Sequence, residues 1–277
     1  MTEPWGTAAV SARPRRLEVA ASYDLGVDAY DRLWSPVILP PARAVVDALA
    51  LRAESLVLDV GAGTGALIPS LAAAAQDVRV VALDASAAML PLARARAAGR
   101  AVRADALALP IRDATADAVV LAFVLFHLNE PGLALAEAAR VLRSGGRVGT
   151  VTWTRDGGSK AHTAWEETLA QAGVPPLPPR RVDKGLDSRA AIDAHLARAG
   201  FESRQVWLEH LTHCWQPETF WQLVTGSGVN RMRLRRATAP AARDALAKAR
   251  ERLAALPPGD FTWWGEVVCA VATRTAR

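Results

Sequence analysis

The sequence predicts an α/β chain organised as a doubly wound, mostly parallel sheet with helices on both faces. Three observations predict it. The run Leu56-Val57-Leu58-Asp59-Val60 is short, partly β-branched and apolar on both sides, which suits a strand buried at the centre of a parallel sheet. It ends in Gly61-Ala62-Gly63-Thr64-Gly65, whose glycines permit positive φ and close approach of a ligand to the backbone. Similar apolar runs then alternate with helical stretches as far as residue 153, a βαβ pattern that places a ligand at the carboxyl ends of the strands.

In chain order, residues 1–16 lack periodicity and are expected to form a mobile tail. Within 17–53, Tyr23, Tyr30 and Trp34 have near-helical spacing, and Pro40-Pro41 is expected to open a helix to about Arg52 with Val45, Val46 and Leu49 as its apolar stripe. The core, 54–155, begins with strand 56–60 and a helix over Ala66–Ala75, whose free N–H groups point back at the glycines. Strand Val78–Asp84 follows, and Ser86 caps a helix carrying Met89 and Leu92 that stops at Gly99. Ala101–Ala104 is a short strand ending at Asp105, and Asp117–Phe123 a fully apolar one. A helix from Asn129-Glu130-Pro131 to about Leu142 then turns at Gly145-Gly146 into strand Arg147–Trp153.

Residues 156–277 read differently. Helices are expected over His162–Ala172 and Ser188–Ala199, separated by a proline-rich loop at 174–181, with strands near Gln205–His210 and Val267–Thr273. The connection between those strands, Leu211–Glu266, is about 55 residues against ~2–5 for a hairpin, and is expected to be a cap containing a helix over Pro240–Ala255. Seven of the nine tryptophans follow residue 150, so this is the aromatic half.

The composition narrows the function. A chain with 51% hydrophobic residues is ample for a core, no run reaches the ~20 apolar residues of a membrane span, and no signal pattern opens the chain, so a cytoplasmic protein is expected. Cys214 and Cys269 are too few for a disulfide framework, and His210, His213 and Cys214 lack metal-ligand spacing, so no metal is expected. The net charge of +5 is spread along the chain except for Arg13, Arg15, Arg16 and for Arg231, Arg233, Arg235 and Arg236; nucleic acid is the runner-up partner to a small molecule.

The charges around the glycine turn choose the ligand. A dinucleotide motif can be laid on Gly61, Gly63 and Ala66, with Asp84 near the expected ribose-binding position, which makes an NAD-dependent oxidoreductase one alternative. Asp59, however, sits where a pyrophosphate would lie, and Asp105 adds a third acid. S-adenosylmethionine has no phosphate and carries a sulfonium and an ammonium group, both favoured by carboxylates.

D-V-G-A-G-T-G at 59–65, V-V-A-L-D-A-S at 80–86, R-A-D-A at 103–106, A-D-A-V-V-L-A-F-V-L-F-H-L at 116–128 and V-L-R-S-G-G-R-V-G-T-V at 141–151 resemble, in order, the class I S-adenosylmethionine-dependent methyltransferases. The small-molecule enzymes of ubiquinone and menaquinone biosynthesis are the most similar group. The resemblance implies a seven-stranded sheet of order 3-2-1-4-5-7-6 with the seventh strand antiparallel, and an N-terminal lid that brings Tyr23 and Tyr30 over the cofactor. It implies cofactor contacts from Tyr23, Tyr30, Asp59, Gly61, Ala62, Gly63, Asp84, Ala85, Met89, Asp105, Ala106 and Phe123. Packing to the core is the other reading of the two tyrosines, and the preferred one for Trp34.

Methyl transfer needs alignment and exclusion of water more than it needs a base. His127, just past the fourth strand, is the candidate base, with packing against the cofactor as its alternative. His162 and Glu166 share a helical face and are expected to be solvent-exposed. An RNA methyltransferase and a non-catalytic adenosylmethionine-binding protein remain alternatives.

Overall fold

A computed structural model describes residues 18–176 and 185–275. The tail expected over 1–16, and 177–181 of the proline-rich loop, lie outside them. Seven strands, β1 (Leu56–Val60), β2 (Arg79–Asp84), β3 (Ala101–Arg103), β4 (Ala116–Ala122), β5 (Leu142–Gly158), β6 (Phe201–Cys214) and β7 (Thr262–Arg274), form one sheet. They lie in the order β3-β2-β1-β4-β5-β7-β6, the order implied by the resemblance. β1 to β5 pair in parallel, and β7 runs antiparallel between β5 and β6.

Period-2 alternation supplies two cores. Val57, Val80, Val120 and Val151 point to one face of the sheet, and Leu58, Leu83, Val119 and Val148 to the other. The first face is covered by α3 (Ser35–Ala48), α4 (Ile68–Ala73), α5 (Leu90–Arg96) and α7 (Lys160–Gln171); α6 (Pro131–Val141) and α8 (Arg189–Arg198) cover the second. Ahead of α3 come α1 (18–24), α2 (Val27–Ala29) and a π-helical turn, Tyr30–Trp34. Between β6 and β7 stand α9 (Pro217–Gly226), α10 (Gly228–Arg236) and α11 (Ala239–Ala254).

Several boundaries differ from the sequence expectation. α3 starts at Ser35 and carries Pro40 and Pro41 inside it, because it continues the preceding π-helical turn. Its end precedes Arg52, since Ala50 takes a left-handed φ of 45°. The helix after the glycines is only Ile68–Ala73, because Gly65 N–H turns back onto the Ala62 carbonyl (2.8 Å) first. β5, β6 and β7 outrun their apolar stretches: antiparallel pairing on β7 carries the ladders to Gly158 and Cys214. The connection expected over 211–266 therefore shrinks to 215–261. No helix among the described residues is long and apolar enough to cross a membrane.

Candidate functional site

The carboxyl ends of β1, β2 and β4 meet at the glycine turn. Gly61, Gly63 and Gly65 all have positive φ (71°, 56° and 78°), yet only Gly63 leaves ordinary space where a Cβ would stand. A Cβ on Gly61 would stand 2.2 Å from Val124 Cγ2, and one on Gly65 would stand 2.9 Å from Ala93 Cα, so both are bare for internal packing. At Gly63 the nearest atom would be Tyr30 Cε1, an ordinary 3.6 Å away. Asp84, ending β2, accepts from Gly63 N–H with Oδ2 and from Ser86 N–H with Oδ1, each at 2.7 Å. Ser86, expected to cap the next helix, instead accepts from Met89 N–H (3.3 Å) in the turn ahead of α5, whose N-cap, Met89, makes no side-chain cap bond, and the Asp84 carboxylate braces the same segment. Burial raises the Asp84 pKa, against the lowering effect of those N–H donors.

The N-terminal helices close the turn from outside. Ser86 Oγ donates to Asp24 Oδ1 (2.5 Å), and Arg96 forks onto Asp31 (2.6 and 3.0 Å) while also donating to the Thr64 carbonyl (2.8 Å). These fastenings set the rings. Tyr23 and Tyr30 meet edge to face at 5.6 Å between centroids, and Tyr23 meets the His127 ring in the same way at 5.4 Å. Tyr23 Oη lies 2.9 Å from His127 Nε2. Tyr30 is deprotonated with more difficulty than an ordinary phenol, first because it is buried and then because Tyr23 and Asp84 are near.

A cleft of about 360 Å³ results. Of the residues expected there, Tyr23, Tyr30, Gly61, Gly63, Asp84, Ala85, Met89, Asp105, Ala106, Phe123 and His127 line it. Asp59 and Ala62 do not: Asp59 is only 2% exposed, on the strand behind the turn, and Ala62 packs against the core. Among the described residues Asp59 Oδ2 has no hydrogen-bond partner, and burial, with Asp84 nearby, pushes its pKa up to about 7. Leu109, Val124 and Arg103 also line the cleft. Their sequence positions carry no signal, because they reach it only through the β3 and β4 register. Phe123 closes the floor in a left-handed conformation (φ 59°), a strain of the sort that collects at ligand sites.

A second cavity, about 290 Å³, shares Tyr23 and Tyr30 with the cleft. Its walls include Trp34, Phe126, Trp153, Trp165 and His162, with Leu223, Val224 and Asn230 from the connection between β6 and β7. Trp34 packs on Trp153 and Trp263, with centroids 6.2 and 5.3 Å away, so it is both a core residue and a wall. His162, expected in solvent, lies edge-on to Phe220 at 4.8 Å, and burial lowers its pKa to about 4. α7 turns it inward, because Ser159 caps the helix (His162 N–H to Ser159 Oγ, 3.1 Å) and holds ring Nδ1 at 2.8 Å. Glu166 is exposed, as expected, but both its oxygens bind Nη1 of the buried Arg233 (2.8 and 2.7 Å). Of the basic cluster only Arg233 is buried; the exposed Arg231 donates to the Leu25 carbonyl (2.7 Å), and the exposed Arg236 pairs with Glu18.

Residues 58–149 match the family model described as a methyltransferase domain. Demethylmenaquinone methyltransferase of Renibacterium salmoninarum is 36% identical over 170 residues, covering 60% of this chain and 70% of the relative. The Clavibacter sepedonicus protein of the same name is 39% identical over 139 residues, 47% of this chain and 56% of the relative, so the chain spans little more than half of it. Among solved structures, phosphoethanolamine N-methyltransferase 2 of Haemonchus contortus, with S-adenosyl-L-methionine, matches at a TM-score of 0.54 and 17% identity over 91% of this chain and 57% of that one. At that identity the likeness speaks for the fold. With the sheet order, the glycine turn and a relative matched over most of its length, the chain belongs to the class I S-adenosylmethionine-dependent methyltransferases.

Proposed function

We propose that the protein transfers a methyl group from S-adenosylmethionine to an apolar or aromatic small molecule. The observation that carries this is the junction of two cavities: Tyr23 and Tyr30 wall both the cleft at the glycine turn and the aromatic chamber beside it. The residues at the cleft suit the cofactor. Gly63 offers bare backbone, Asp84 offers acceptor oxygens at the end of β2 for ribose hydroxyls, and the partnerless Asp59 Oδ2 favours positive charge nearby. Ala85, Met89, Asp105, Ala106 and Phe123 complete the contact surface, with Ala62 contributing only to the packing behind it.

The bound cofactor supplies an electrophilic methyl carbon, which leaves sulfur as its bond to the acceptor forms. The chain's part is alignment and dryness. Asp24 and Asp31 fasten the lid, so that water is kept from the junction where the methyl crosses. His127 is the base that receives the acceptor's proton where one is lost, and its hydrogen bond to Tyr23 orients the ring. The relatives named demethylmenaquinone methyltransferase favour an aromatic acceptor of quinol type, and the burial of Arg233, with the exposed Arg231 and Arg236 paired to the Leu25 carbonyl and Glu18, favours a small molecule over nucleic acid.

The test pairs calorimetric titration of S-adenosylhomocysteine with transfer of labelled methyl from S-adenosylmethionine to 1,4-dihydroxynaphthalene or to bulk RNA. Homocysteine-product binding with labelling of the aromatic is expected. Labelling of RNA alone, with an affinity falling steeply as salt rises, would overturn the acceptor. Stabilisation by NAD with no response to S-adenosylhomocysteine would overturn the cofactor.

A further inference from the structure

His162 was expected on the protein surface, and nothing in the cofactor cleft needs it. It lies instead in the chamber beyond Tyr23 and Tyr30, where the remaining walls are largely aromatic and aliphatic. Its ring is fixed at two points: Ser159 Oγ at Nδ1 (2.8 Å) and the edge-on face of Phe220. Nε2 makes no hydrogen bond among the described residues. One turn along α7, the indole N–H of Trp165 is also without a partner, although this residue is only 1% exposed and lines the same chamber. A buried polar group is rarely left unpaired, and a chamber wall that sets the buried Trp165 N–H beside the half-buried His162 Nε2 on one helix face suits a ligand that supplies the missing bonds.

We infer that this chamber holds the methyl acceptor as a neutral, flat aromatic molecule, and that His162 selects it by hydrogen-bonding a hydroxyl group through Nε2. This inference rests on the methyl-transfer reading above. The chemistry of the wall sets the class. Among the described residues Glu166 is the one carboxylate of the chamber wall, and both its oxygens are already taken by Arg233, so a cationic amine finds no free counter-charge among them. An anionic group fares no better, since Arg233 is committed to the same pair. A hydroxyl suits His162 in either tautomer: it donates to Nε2 when Ser159 accepts from Nδ1–H, and accepts from Nε2–H when the Ser159 hydroxyl donates to Nδ1. Its oxygen is also an acceptor of the kind that the Trp165 N–H lacks. Burial disfavours the charged imidazolium, which suits a neutral reader of hydroxyl groups and not a site for anions. His162 is therefore a positioning residue: it fixes the aromatic ring against the Tyr23–Tyr30 partition.

The experiment uses the full chain saturated with S-adenosylhomocysteine, with ligand-observed NMR titration of 2-naphthol, naphthalene and 2-(aminomethyl)naphthalene. In the wild type 2-naphthol is expected to bind about tenfold more tightly than naphthalene, the worth of one ordinary hydrogen bond, and the ammonium compound more weakly than both. His162→Phe should abolish the preference for 2-naphthol while leaving naphthalene and S-adenosylhomocysteine binding unchanged; His162→Gln should retain part of it. The wild-type comparison decides the matter even if His162→Phe does not fold. Equal binding of 2-naphthol and naphthalene, tightest binding of the ammonium compound, an undiminished preference in folded His162→Phe, or no probe binding at all would each overturn the inference. Failure of S-adenosylhomocysteine to bind the wild type would instead overturn the methyl-transfer reading beneath it.

Discussion

Tyr23 Oη and His127 Nε2, 2.9 Å apart, join the N-terminal lid to the end of β4 across 104 residues of sequence. The bond puts the proposed base and the partition between the two cavities into one unit. His127→Ala is accordingly expected to lower kcat by roughly 10²-fold or more while S-adenosylhomocysteine affinity stays within a few-fold. Tyr23→Phe keeps the ring contacts but removes the Oη bond to the imidazole, and should cost less than His127→Ala; in the double variant the two losses should not add. Steady-state kinetics with calorimetry measures all three. A collapse of cofactor affinity with turnover preserved would make His127 a packing residue.

Asp84 accepts from Gly63 N–H and Ser86 N–H, so its removal acts on the turn as well as on the ligand. Asp84→Ala should weaken S-adenosylhomocysteine by about two orders of magnitude, the worth of two hydrogen bonds to a charged group at ~1.5–3 kcal/mol each with some overlap, and should also lower Tm. Asp84→Asn should fall between. Melts and titrations of the same samples separate the two effects. Unchanged affinity in folded Asp84→Ala protein would remove the ribose assignment.

Two buried groups give opposite pH dependences. Asp59, at about 7 when folded, holds a proton that the unfolded chain has lost at ~4, so its contribution is full below pH 4 and gone above 7. His162, at about 4 when folded, stays neutral where the unfolded residue at ~6.5 has charged, so its contribution is full above pH 6.5 and lost toward pH 4. Relative to wild type, the Tm of Asp59→Asn should therefore rise from pH 4 to 7 and then level, while that of His162→Phe should rise as the pH drops below 6.5. Melts from pH 4 to 8 decide it, and pH-independent differences would show that neither group is shifted.

Arg233 is buried and paired with the half-exposed Glu166. Glu166→Ala leaves a buried guanidinium without its carboxylate, and should cost about 2 kcal/mol, less than the ~3–5 of a wholly buried pair because Glu166 is solvated. The combination Glu166→Met with Arg233→Met should recover most of this in urea unfolding. A neutral Glu166→Ala would show that solvent or the Pro175 and Asn230 oxygens suffice for Arg233.

A Cβ on Gly228 would stand 1.6 Å from the Ser22 carbonyl oxygen, because α1 and the start of α10 meet backbone to backbone. Gly228→Ala should therefore lift the lid from the connection, giving faster limited proteolysis around residues 22–28 and weaker S-adenosylhomocysteine binding. Digestion at the wild-type rate would mean that the lid is held by its Asp24 and Asp31 contacts alone.

The sequence by itself determined the sheet's first five strands and the turn that serves the cofactor. Three of them are written locally, as short runs that stop at or near an acid: β1 ends at Asp59-Val60, β2 at Asp84, and β3 two residues before Asp105; β4 shows only as an apolar stretch, and β5 as one following Gly145-Gly146. Most of the expected cleft residues at strand ends follow once those ends are superposed by a parallel register, whereas Tyr23 and Tyr30, implied by the resemblance, are brought there by the lid. Only the tertiary structure decided which glycine keeps space for a Cβ, because the competitors, Val124 and Ala93, come from other elements. It likewise set Asp59 behind the turn, carried α3 through two prolines and stretched β5 to β7 by antiparallel pairing. The second chamber is the clearest case. Its walls are drawn from 22–34, 126, 153–166 and 223–230, and His162 and Trp165 are turned inward by packing between α7, α9 and the lid. Periodicity reports which face of an element is apolar; the partner that covers that face, and the space left between them, depend on contacts made across the whole chain.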